Sequence, residues 1–181
     1  EQLKEERDIA FLFIGAGIAR PWLEAEVAAR GLTNVQFRPY QPADRLRWSL
    51  SVPDVHVVSL RPALEGLIVP SKFYGIAAAG RPVIHVGDPD GEIARILARE
   101  QCGWSFCIGE VGPMVECIRE LSANRHMVIE AGQRARQAFD RQYARVHALQ
   151  TWRTLLESVS VPVSRLQAQA EPALLVAAGK E

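Results

Sequence analysis

The residues with the clearest chemical potential lie in one stretch of the chain, residues 60–84. Glu65 and Gly66 precede a helix that is expected to begin after a capping serine, Ser71. Lys72 follows in the first turn, where a cation is unfavourable unless an anion binds nearby. A carboxylate at this place can accept hydrogen bonds from sugar hydroxyls, while backbone N–H groups at the helix start can face a diphosphate. The stretch therefore indicates a site for a phosphorylated sugar, with a solvated glutamate and a surface lysine as the alternative.

A glycine turn, Gly15-Ala16-Gly17, follows the first predicted strand and precedes a helix. Glycines in such a turn allow the backbone to approach a ligand, and the helix N-terminus favours an anion. A dinucleotide-binding fingerprint needs a third glycine three residues further on, where the chain has Arg20. The turn is therefore either a nucleotide contact or a plain strand-to-helix turn, and NAD binding is disfavoured.

The other polar residues form no recognisable catalytic or metal-binding pattern. His56 alternates with valines on a predicted strand, and both it and His85 are better explained as packed histidines than as catalytic ones. Asp88 and Asp90 form a turn pair that capping explains better than a metal does, with Asp90 as the cap of the helix that follows. The cysteines have neither CxxC spacing nor a histidine cluster beside them, which argues against zinc and against a disulfide framework. They are Cys102, Cys107 and Cys117.

The composition argues against several classes of partner and location. The 21 basic residues balance the 21 acidic ones, so a general surface for nucleic acid is not predicted, although a local phosphate pocket is still allowed. The sequence contains neither a signal peptide nor an apolar run long enough to span a bilayer. Together with the odd number of cysteines, these features predict a cytoplasmic protein.

Short apolar runs alternate with helical segments along the chain. The predicted strands are residues 9–14, 34–37, 54–59, 82–86 and 103–108. The predicted helices cover about residues 21–30, 44–50, 71–80, 92–99, 113–121, 127–143 and 146–159. This alternation predicts the α/β class: a Rossmann-like, doubly wound parallel sheet of five or six strands with helices on both faces. Ligands of such sheets bind beyond the carboxyl ends of the strands, here the loops at residues 15–20, 38–42, 59–70 and 87–91.

The two ends of the chain are interpreted separately from the centre. Residues 2–7 are expected to be the end of a helix whose start is missing, so the chain has the character of an excised fragment. Residues 1–159 are predicted to form one domain. Residues 160–181 are rich in alanine, glutamine and proline with weak periodicity, and they are predicted to be a linker or a disordered tail.

The stretch from Glu65 onward resembles the donor-binding motif of the retaining glycosyltransferases of family four, which have the GT-B fold. The typical motif reads EGFGLPVLEAMAAG, followed by a basic residue, a proline and an apolar strand. Here Glu65-Gly66, Pro70 and residues 77–82 stand in comparable order. Residues 69–82 match the variant VPSKxYGxxAAGxP of a subgroup that makes lipopolysaccharide and capsule sugars. The similarity extends over about residues 8–158; its other parts are residues 13–17, 34–40, 54–57 and 91–92, and Trp152 with Leu155 and Leu156.

The resemblance implies a single GT-B C-terminal lobe that binds the nucleotide-diphosphate-sugar donor of a hexosyltransferase-type enzyme. Such an enzyme transfers the sugar with retention, in cell-surface polysaccharide biosynthesis. The N-terminal acceptor lobe would be missing, so this chain would hold no catalytic residue and be inactive alone. Neither a metal nor a cofactor is implied besides the donor. The donor-binding residues would be Gly15, Gly17, Arg38, Tyr40, Glu65, Gly66, Leu67, Ile68, Ser71 and Lys72.

Two departures from the family pattern bear on the donor site. Family members usually carry a second glutamate, five residues before the closing glycine of the motif, that holds the ribose. Gly75 occupies that position, so ribose recognition is expected to shift to Ser71 or to backbone groups. The interval from Glu65 to this position is also longer than usual. The second departure is that the family's diphosphate-contacting basic residues and glycine-rich loop precede the first residue of this chain.

Other functions are compatible with the same sheet. One is a non-catalytic nucleotide-binding or regulatory domain, and another is a lobe of a sugar-nucleotide epimerase. A basic series on the late helices is interpreted as a solvated face, with docking on the missing lobe or on an anionic membrane as the alternative. The series is Arg134, Arg136, Arg141 and Arg145. Peripheral association of a longer protein with the inner face of a membrane therefore stays open, as do the sugar, the base, the acceptor and the oligomeric state.

Overall fold

The computed structural model of the protein describes residues 1–159, in which strands and helices alternate. The strands are β1 (Phe11–Ile14), β2 (Val35–Arg38), β3 (His56–Ser59), β4 (Val83–Val86) and β5 (Gly103–Phe106). The helices are α1 (Arg20–Ala29), α2 (Leu46–Ser51), α3 (Lys72–Ala78), α4 (Glu92–Glu100), α5 (Val111–Ala123), α6 (Arg125–Ala138) and α7 (Arg145–Val159). Short 3-10 turns at Ala43–Arg45 and Pro62–Leu64 precede α2 and α3, and a π-helical turn at Phe139–Tyr143 follows α6.

Every strand pair in the described chain is parallel, as the alternation predicts. β1 pairs with β2, and β4 lies between β3 and β5. The α/β class with parallel strands is therefore confirmed. The structure differs from the expected single sheet of five or six strands, because its five strands divide into a two-stranded and a three-stranded sheet.

Packing on α5 takes the place of direct pairing between the two sheets. Val115 of this helix packs with the buried Leu3 beside the two-stranded sheet. Leu121 packs with Ile84 of the three-stranded sheet, and Ile118 lies against both clusters. Apolar packing is not directional, whereas a ladder of hydrogen bonds requires two strand edges to meet. One helix can therefore join both sheets while β1 and β3 share no hydrogen bonds.

The three-stranded sheet is covered on both faces, as a doubly wound fold requires. Successive residues of a strand point to opposite faces. Val83 belongs to the main core with α3 and α4, and the next residue, Ile84, packs towards α5 and α6. Burial of one large apolar side chain contributes roughly 1.5–3 kcal/mol. The main core consists of Val58, Phe73, Ile76, Ala77, Val83, Ile93, Ile96, Leu97, Cys102 and Ala135.

Helix α4 is held firmly because one of its faces is buried. The buried residues have the spacing of a single helical face; they are Ile93, Ala94, Ile96 and Leu97. The helix ends at Gln101, which has a left-handed φ of 50° and whose carbonyl oxygen accepts a hydrogen bond from Arg134 at 2.7 Å. The first turn of α4 is consequently held in place by the core, directly after the loop that follows β4.

Helix α6 approaches the turn after α3 very closely. A Cβ atom built on Gly132 would lie 2.4 Å from the carbonyl oxygen of Gly80. Arg136, one turn further along α6, donates a hydrogen bond to the carbonyl oxygen of Ala78 at 2.6 Å. Glycine is needed at position 132 because the atom it meets belongs to the backbone of a packed turn, which cannot yield as the tip of a flexible side chain can.

Residues 2–7 form turns, so the expected end of a helix is not present there. The N–H groups of Lys4 and Glu6 bond to carbonyl oxygens only three residues earlier. A segment this short does not offset the cost of helix nucleation. The turns instead bury Leu3, and Arg119 of α5 holds them through Glu6.

The basic series that was expected to be a solvated face has structural partners. Arg134 and Arg136 donate to carbonyl oxygens at the ends of α4 and α3, as described above. Arg141 pairs with the carboxylate of Glu100. Carbonyl groups at a helix C-terminus lack partners within the helix, and cations satisfy them well. Arg136, Arg141 and Arg145 are exposed and Arg134 is partly exposed, so the series does lie on a solvated face, and three of its members make these contacts in addition.

The chain divides into two compact units. The first comprises Glu1–Tyr143, and the second begins at Ala144 and is described up to the end of α7. None of the residues of α7 is buried. Residues 160–181, predicted as a linker or disordered tail, lie outside the described residues. No helix within residues 1–159 has both the length and the apolar character that crossing a bilayer requires.

The contact at Gly132 leads to a stability prediction. Gly132→Ala should lower the free energy of unfolding by about 1–3 kcal/mol, because the added methyl group forces α6 away from the turn at Gly80. Gly112→Ala in α5 is the matched control, since a Cβ atom there would meet nothing within 4 Å. The control should be neutral or stabilising by up to about 1 kcal/mol, as alanine usually is in a helix. Urea unfolding of both variants measures the difference, and equal effects would contradict the proposed contact.

Candidate active-site edge

The carboxyl ends of β3, β4 and β5 bring three loops to one edge of the larger sheet. The loop after β3 contains Glu65, the loop after β4 contains Gly87 and Gly91, and the loop after β5 contains Glu110. Open α/β sheets bind their ligands at this edge. The sequence predicts the first two loops as site candidates and leaves out the third.

Glu65 is fixed by the start of α4. Its Oε1 atom accepts a hydrogen bond from the backbone N–H of Glu92 at 2.7 Å. A Cβ atom on Gly91 would lie 2.9 Å from the carboxylate, so this approach depends on glycine at position 91. The N-terminus of a helix attracts a carboxylate because its N–H groups are unpaired and carry partial positive charge. Glu65 therefore performs the capping role that was predicted for Asp90.

The two aspartates of the turn have a local role. The N–H of Asp90 donates to Oδ1 of Asp88 at 2.9 Å, as expected of an aspartate turn. Ser71 also differs from its predicted role, since its side chain makes no capping hydrogen bond at the start of α3. Asp90 is not needed as a cap because Glu65 already accepts from the N–H of Glu92. Ser71 has helical backbone angles, φ −57° and ψ −18°, whereas a capping serine normally has extended ones.

His85 is the buried polar residue of this edge. It is 1% exposed, and its Nδ1 atom lies 2.9 Å from Oγ of Ser105, its neighbour on β5. Burial lowers the pKa of His85, against a smaller opposite effect from the carboxylates of Glu65 and Asp88. The imidazole is consequently neutral at neutral pH. The sequence favoured a packed histidine here, but it did not indicate the contact with Ser105.

Gly87 makes room for the histidine ring. A Cβ atom at position 87 would lie 2.8 Å from Nε2 of His85 and 2.7 Å from the carbonyl oxygen of Leu60. Either contact is shorter than real Cβ atoms make, so glycine is required. A histidine inside an otherwise apolar strand, two residues before a glycine, is the signal in the sequence from which this arrangement could have been found.

The other residues predicted around the motif lie on the surface of the same loop. Gly66 has a φ of +78°, and the N–H groups of Leu67 and Ile68 both bond to the carbonyl oxygen of Leu64 in a tight turn. The side chains of Leu67 and Ile68 are exposed. Lys72 is exposed and forms no ion pair with any described residue. Its ammonium group is therefore available to a bound anion.

Gly75, at the position of the expected ribose-binding glutamate, faces α2. A Cβ atom there would lie 3.4 Å from Cδ1 of Leu50. Leu50 packs against the main core. At the end of α2, His56 donates a hydrogen bond to the carbonyl oxygen of Leu50, and Arg81 donates one to the carbonyl oxygen of Ser51. Helix α2 therefore lies directly beside the position at which the family motif carries its second glutamate.

The predicted residues near the start of the chain lie at the carboxyl edge of the smaller sheet. Arg20 donates to the carbonyl oxygens of Gly15 at 2.6 Å and of Arg38 at 3.1 Å, and so ties the ends of β1 and β2 together. Its guanidinium lies over the ring of Phe37. Arg20, which stands where the dinucleotide-binding fingerprint has its third glycine, therefore links the carboxyl ends of β1 and β2. Gly17 has open space around it.

Tyr40 and Arg38 extend this second group. Tyr40 is 78% exposed, and Arg38 bonds to the side chain of Gln36 on the same strand. No described hydrogen bond or ion pair joins this group to the loop that carries Glu65. The predicted donor-binding residues thus form two groups, one on the edge of each sheet.

A cavity of about 430 Å³ lies away from these groups, at the residues that precede β3 and β4. Its arginines already have partners: Arg81 bonds to Ser51, Arg125 pairs with Asp54, and Arg136 bonds to Ala78. They hold the amino end of the sheet together, so this cavity has a structural explanation.

The described residues contain no group of three or more histidine, cysteine, aspartate or glutamate side chains that could hold a metal ion. Burial raises the pKa of Cys102 to about 11 and that of Cys117 to about 11. Their thiols are therefore protonated at neutral pH and are poor nucleophiles.

Sequence comparison finds relatives that are glycosyltransferases by name. No protein-family profile matches the chain. It is 30% identical over 104 residues to a probable glycosyltransferase, WbjE of Pseudomonas aeruginosa, covering 58% of this chain and 26% of that protein. It is 29% identical over 96 residues to WcaI of Escherichia coli K12, a putative colanic acid biosynthesis glycosyl transferase, covering 53% of this chain and 23% of that protein. The chain thus spans about a quarter of the length of these curated relatives.

Comparison with solved structures finds the same class of fold. The structure of TarM superposes with a TM-score of 0.67 at 18% identity, covering 84% of this chain and 30% of that one. HepE of Anabaena, solved in complex with UDP-glucose, has a TM-score of 0.66 at 13% identity, covering 88% and 46%. WaaG, a glycosyltransferase involved in lipopolysaccharide biosynthesis, has a TM-score of 0.57 at 18% identity, covering 74% and 34%. The chain therefore has the Rossmann-like α/β fold of a GT-B glycosyltransferase lobe.

The cap on α4 gives a prediction for the stability of the free protein. Glu65→Ala should lower the free energy of unfolding by about 0.5–2 kcal/mol, because the N–H of Glu92 loses its acceptor. Glu5→Ala removes the same charge from an exposed turn and should change the stability by less than about 0.5 kcal/mol. Thermal or urea unfolding provides the measurement. No difference between the two variants would mean that the carboxylate of Glu65 is solvated.

Burial of the histidines gives a prediction for pH dependence. Burial lowers the pKa of both His56 and His85 below the ordinary value of 6.5, with Arg81 adding to the effect at His56. The unfolded chain then binds more protons than the folded chain as the pH falls through 6.5, so the unfolding free energy should decrease from pH 7 to pH 5. Replacing both histidines by asparagine should flatten this dependence. An unchanged slope would show that other groups cause it.

Proposed function

We propose that this chain is the donor-binding C-terminal lobe of a retaining, hexosyltransferase-type glycosyltransferase that acts in cell-surface polysaccharide biosynthesis. The observation that carries the proposal is the placement of Glu65, which the start of α4 holds at the carboxyl edge of the sheet. The names of WbjE and WcaI support the enzyme class, and the UDP-glucose complex of HepE supports a nucleotide-sugar as ligand.

In this proposal Glu65 binds the sugar of the donor. Its Oε1 atom is engaged by the N–H of Glu92, which leaves Oε2 to accept hydrogen bonds from sugar hydroxyls. Gly66 allows the loop backbone to turn towards the ligand, with Leu67 and Ile68 at its exposed tip. A carboxylate that is already held by the protein loses little side-chain entropy when it binds the sugar.

The diphosphate and the nucleoside would contact the remaining predicted residues. Lys72 offers an unpaired positive charge to the phosphates. Ser71, whose hydroxyl caps nothing, can hydrogen bond to the ribose in place of the glutamate that Gly75 replaces. The base would lie towards the edge of the smaller sheet; the residues there are Gly15, Gly17, Arg38 and Tyr40.

The chemistry of transfer requires groups beyond this chain. The leaving diphosphate acquires charge in the transition state, and cationic groups and N–H donors stabilise it. A further lobe would bind the acceptor and complete the cleft, and orientation of donor and acceptor supplies much of the rate acceleration. No residue of this chain is assigned a catalytic role, and the chain alone is inactive in this proposal. Neither a metal nor a cofactor takes part.

Titration of the 181-residue chain with nucleotides tests the donor-lobe assignment. UDP, GDP or ADP should bind with a dissociation constant on the order of 0.1–1 mM, because part of the phosphate contact is absent. NMR amide shifts should cluster at residues 38–42 and 59–75, and the affinity should fall as ionic strength rises. Lys72→Ala should weaken binding, whereas Lys4→Ala, which removes an exposed lysine far along the chain, should not.

Two results would contradict the proposal. One is the absence of shifts with all three nucleotides at several millimolar. The other is binding that leaves residues 59–75 unaffected, which would favour a non-catalytic nucleotide-binding domain with a site elsewhere.

A further inference from the structure

We propose that Arg61 binds the diphosphate of the donor, as a phosphate-binding residue outside the motif on which the proposed function is based. This inference rests on that function, and it names the residue of this chain that offsets the charge of the phosphates together with Lys72. It starts from an exposed arginine whose side chain forms no hydrogen bond and no ion pair with any described residue.

The backbone of Arg61 is fixed at the carboxyl end of β3. The preceding residue, Leu60, is 6% exposed, and its N–H donates to the carbonyl oxygen of Val86 at 3.1 Å. The carbonyl oxygen of Leu60 lies so close to Gly87 that a Cβ atom there would be 2.7 Å from it. Pro62, which follows, favours the extended backbone that Arg61 has, with φ −65° and ψ 134°. The guanidinium therefore extends from a backbone position that the sheet determines.

The short turn that begins at Arg61 also ends in a fixed residue. The carbonyl oxygen of Arg61 accepts from the N–H of Leu64 at 2.9 Å, and that of Pro62 accepts from the N–H of Glu65 at 3.0 Å. Arg61 and Glu65 thus flank one 3-10 turn. The carboxylate of Glu65 is held by the N–H of Glu92, and it forms no ion pair with Arg61. The guanidinium is consequently left without a partner on a segment that is tied to the sheet at both ends.

The charges at this edge make a cation necessary before an anion can bind. The three loops after β3, β4 and β5 span residues 60–71, 87–91 and 107–110. Arg61 is the one basic residue in these loops, which contain four carboxylates, and no described cation forms an ion pair with any of the four. The carboxylates are those of Glu65, Asp88, Asp90 and Glu110. They repel a diphosphate, so its binding here depends on Arg61 and on Lys72 at the start of α3.

An arginine with all its donors unengaged suits a phosphate group. The guanidinium keeps its charge, and its planar fork of N–H groups can bind two phosphate oxygens at once. Other arginines of the chain use these donors within the protein; Arg20 and Arg81, for example, hold backbone carbonyl oxygens. In this assignment Arg61 and Lys72 bind the phosphates, and Glu65, which lies between them in the chain, binds the sugar.

The test compares binding of UDP and of uridine by the 181-residue chain and two variants of it. Arg61→Gln should weaken UDP binding by about three- to tenfold, which lies between the effects of an exposed ion pair and of a charge-assisted hydrogen bond. Uridine has no phosphate, and its binding should be unchanged. Arg61→Lys keeps the charge but not the fork, so its affinity for UDP should be intermediate. The affinity of Arg61→Gln should also depend less on ionic strength.

Control measurements separate this effect from misfolding and from net charge. Arg7→Gln removes an exposed arginine of the N-terminal turns that also has no described partner, and it should leave UDP binding unchanged. The urea midpoint of Arg61→Gln should equal that of the unmodified chain, because no intramolecular contact is lost. In the unmodified chain, the NMR signal of the Nε–H group of Arg61 should shift with UDP and not with uridine, which tests the assignment without any substitution.

The outcomes distinguish the two proposals. If the unmodified chain binds none of UDP, GDP and ADP, the proposed function is overturned and this inference with it. If UDP binds and Lys72→Ala weakens it, but Arg61→Gln binds as the unmodified chain does, only the assignment of Arg61 is overturned. An equal loss in Arg61→Gln and Arg7→Gln has the same meaning, because it shows a general effect of charge, and so has an equal loss for UDP and uridine.

Discussion

The hydrogen bond from the N–H of Glu92 to Glu65 is the contact on which the geometry of the candidate site depends. Beyond the buried Leu60, the loop between β3 and α3 forms local turns, and most of its side chains are exposed. Helix α4, by contrast, is held along one buried face in the main core. A carboxylate bound to the positive end of such a helix acquires the position of the helix. Through this contact, a residue of a largely exposed loop is tied to a helix of the main core.

Close approach at glycine makes this arrangement possible. Gly91 lets the carboxylate of Glu65 reach α4, and Gly87 lets the ring of His85 lie under the next loop. At the opposite end of the sheet, Gly132 lets α6 meet the turn at Gly80. At Gly87 and Gly132 a side chain would collide with backbone carbonyl oxygens that cannot move freely, and at Gly91 it would displace the carboxylate of Glu65. The absence of a Cβ atom therefore determines the structure as directly as any contact that a side chain makes.

The division into two sheets separates the candidate donor contacts. Glu65 and Arg61 belong to the edge of the three-stranded sheet, whereas Arg38 and Tyr40 belong to the edge of the two-stranded sheet. The clamp by Arg20 keeps the second edge together, and apolar packing on α5 joins the sheets. Packing of this kind fixes position less strictly than hydrogen bonds between strands do. In the proposed function, the residue assigned to the sugar therefore belongs to the edge of the larger sheet, and the residues assigned to the nucleoside lie on the sheet that α5 joins to it.

Local patterns in the sequence were sufficient for the strands and for most helices. They were sufficient because the hydrophobic period and the glycine turns act between neighbours in the chain. They did not predict that Glu65 would replace Asp90 as the cap, that Nδ1 of His85 would lie beside the hydroxyl of Ser105, or that Leu50 would lie beside Gly75. These relations join residues 20 or more positions apart, such as His85 and Ser105. Only the packing of α2, α4 and α5 on the sheets brings such residues together, and no local pattern contains that information.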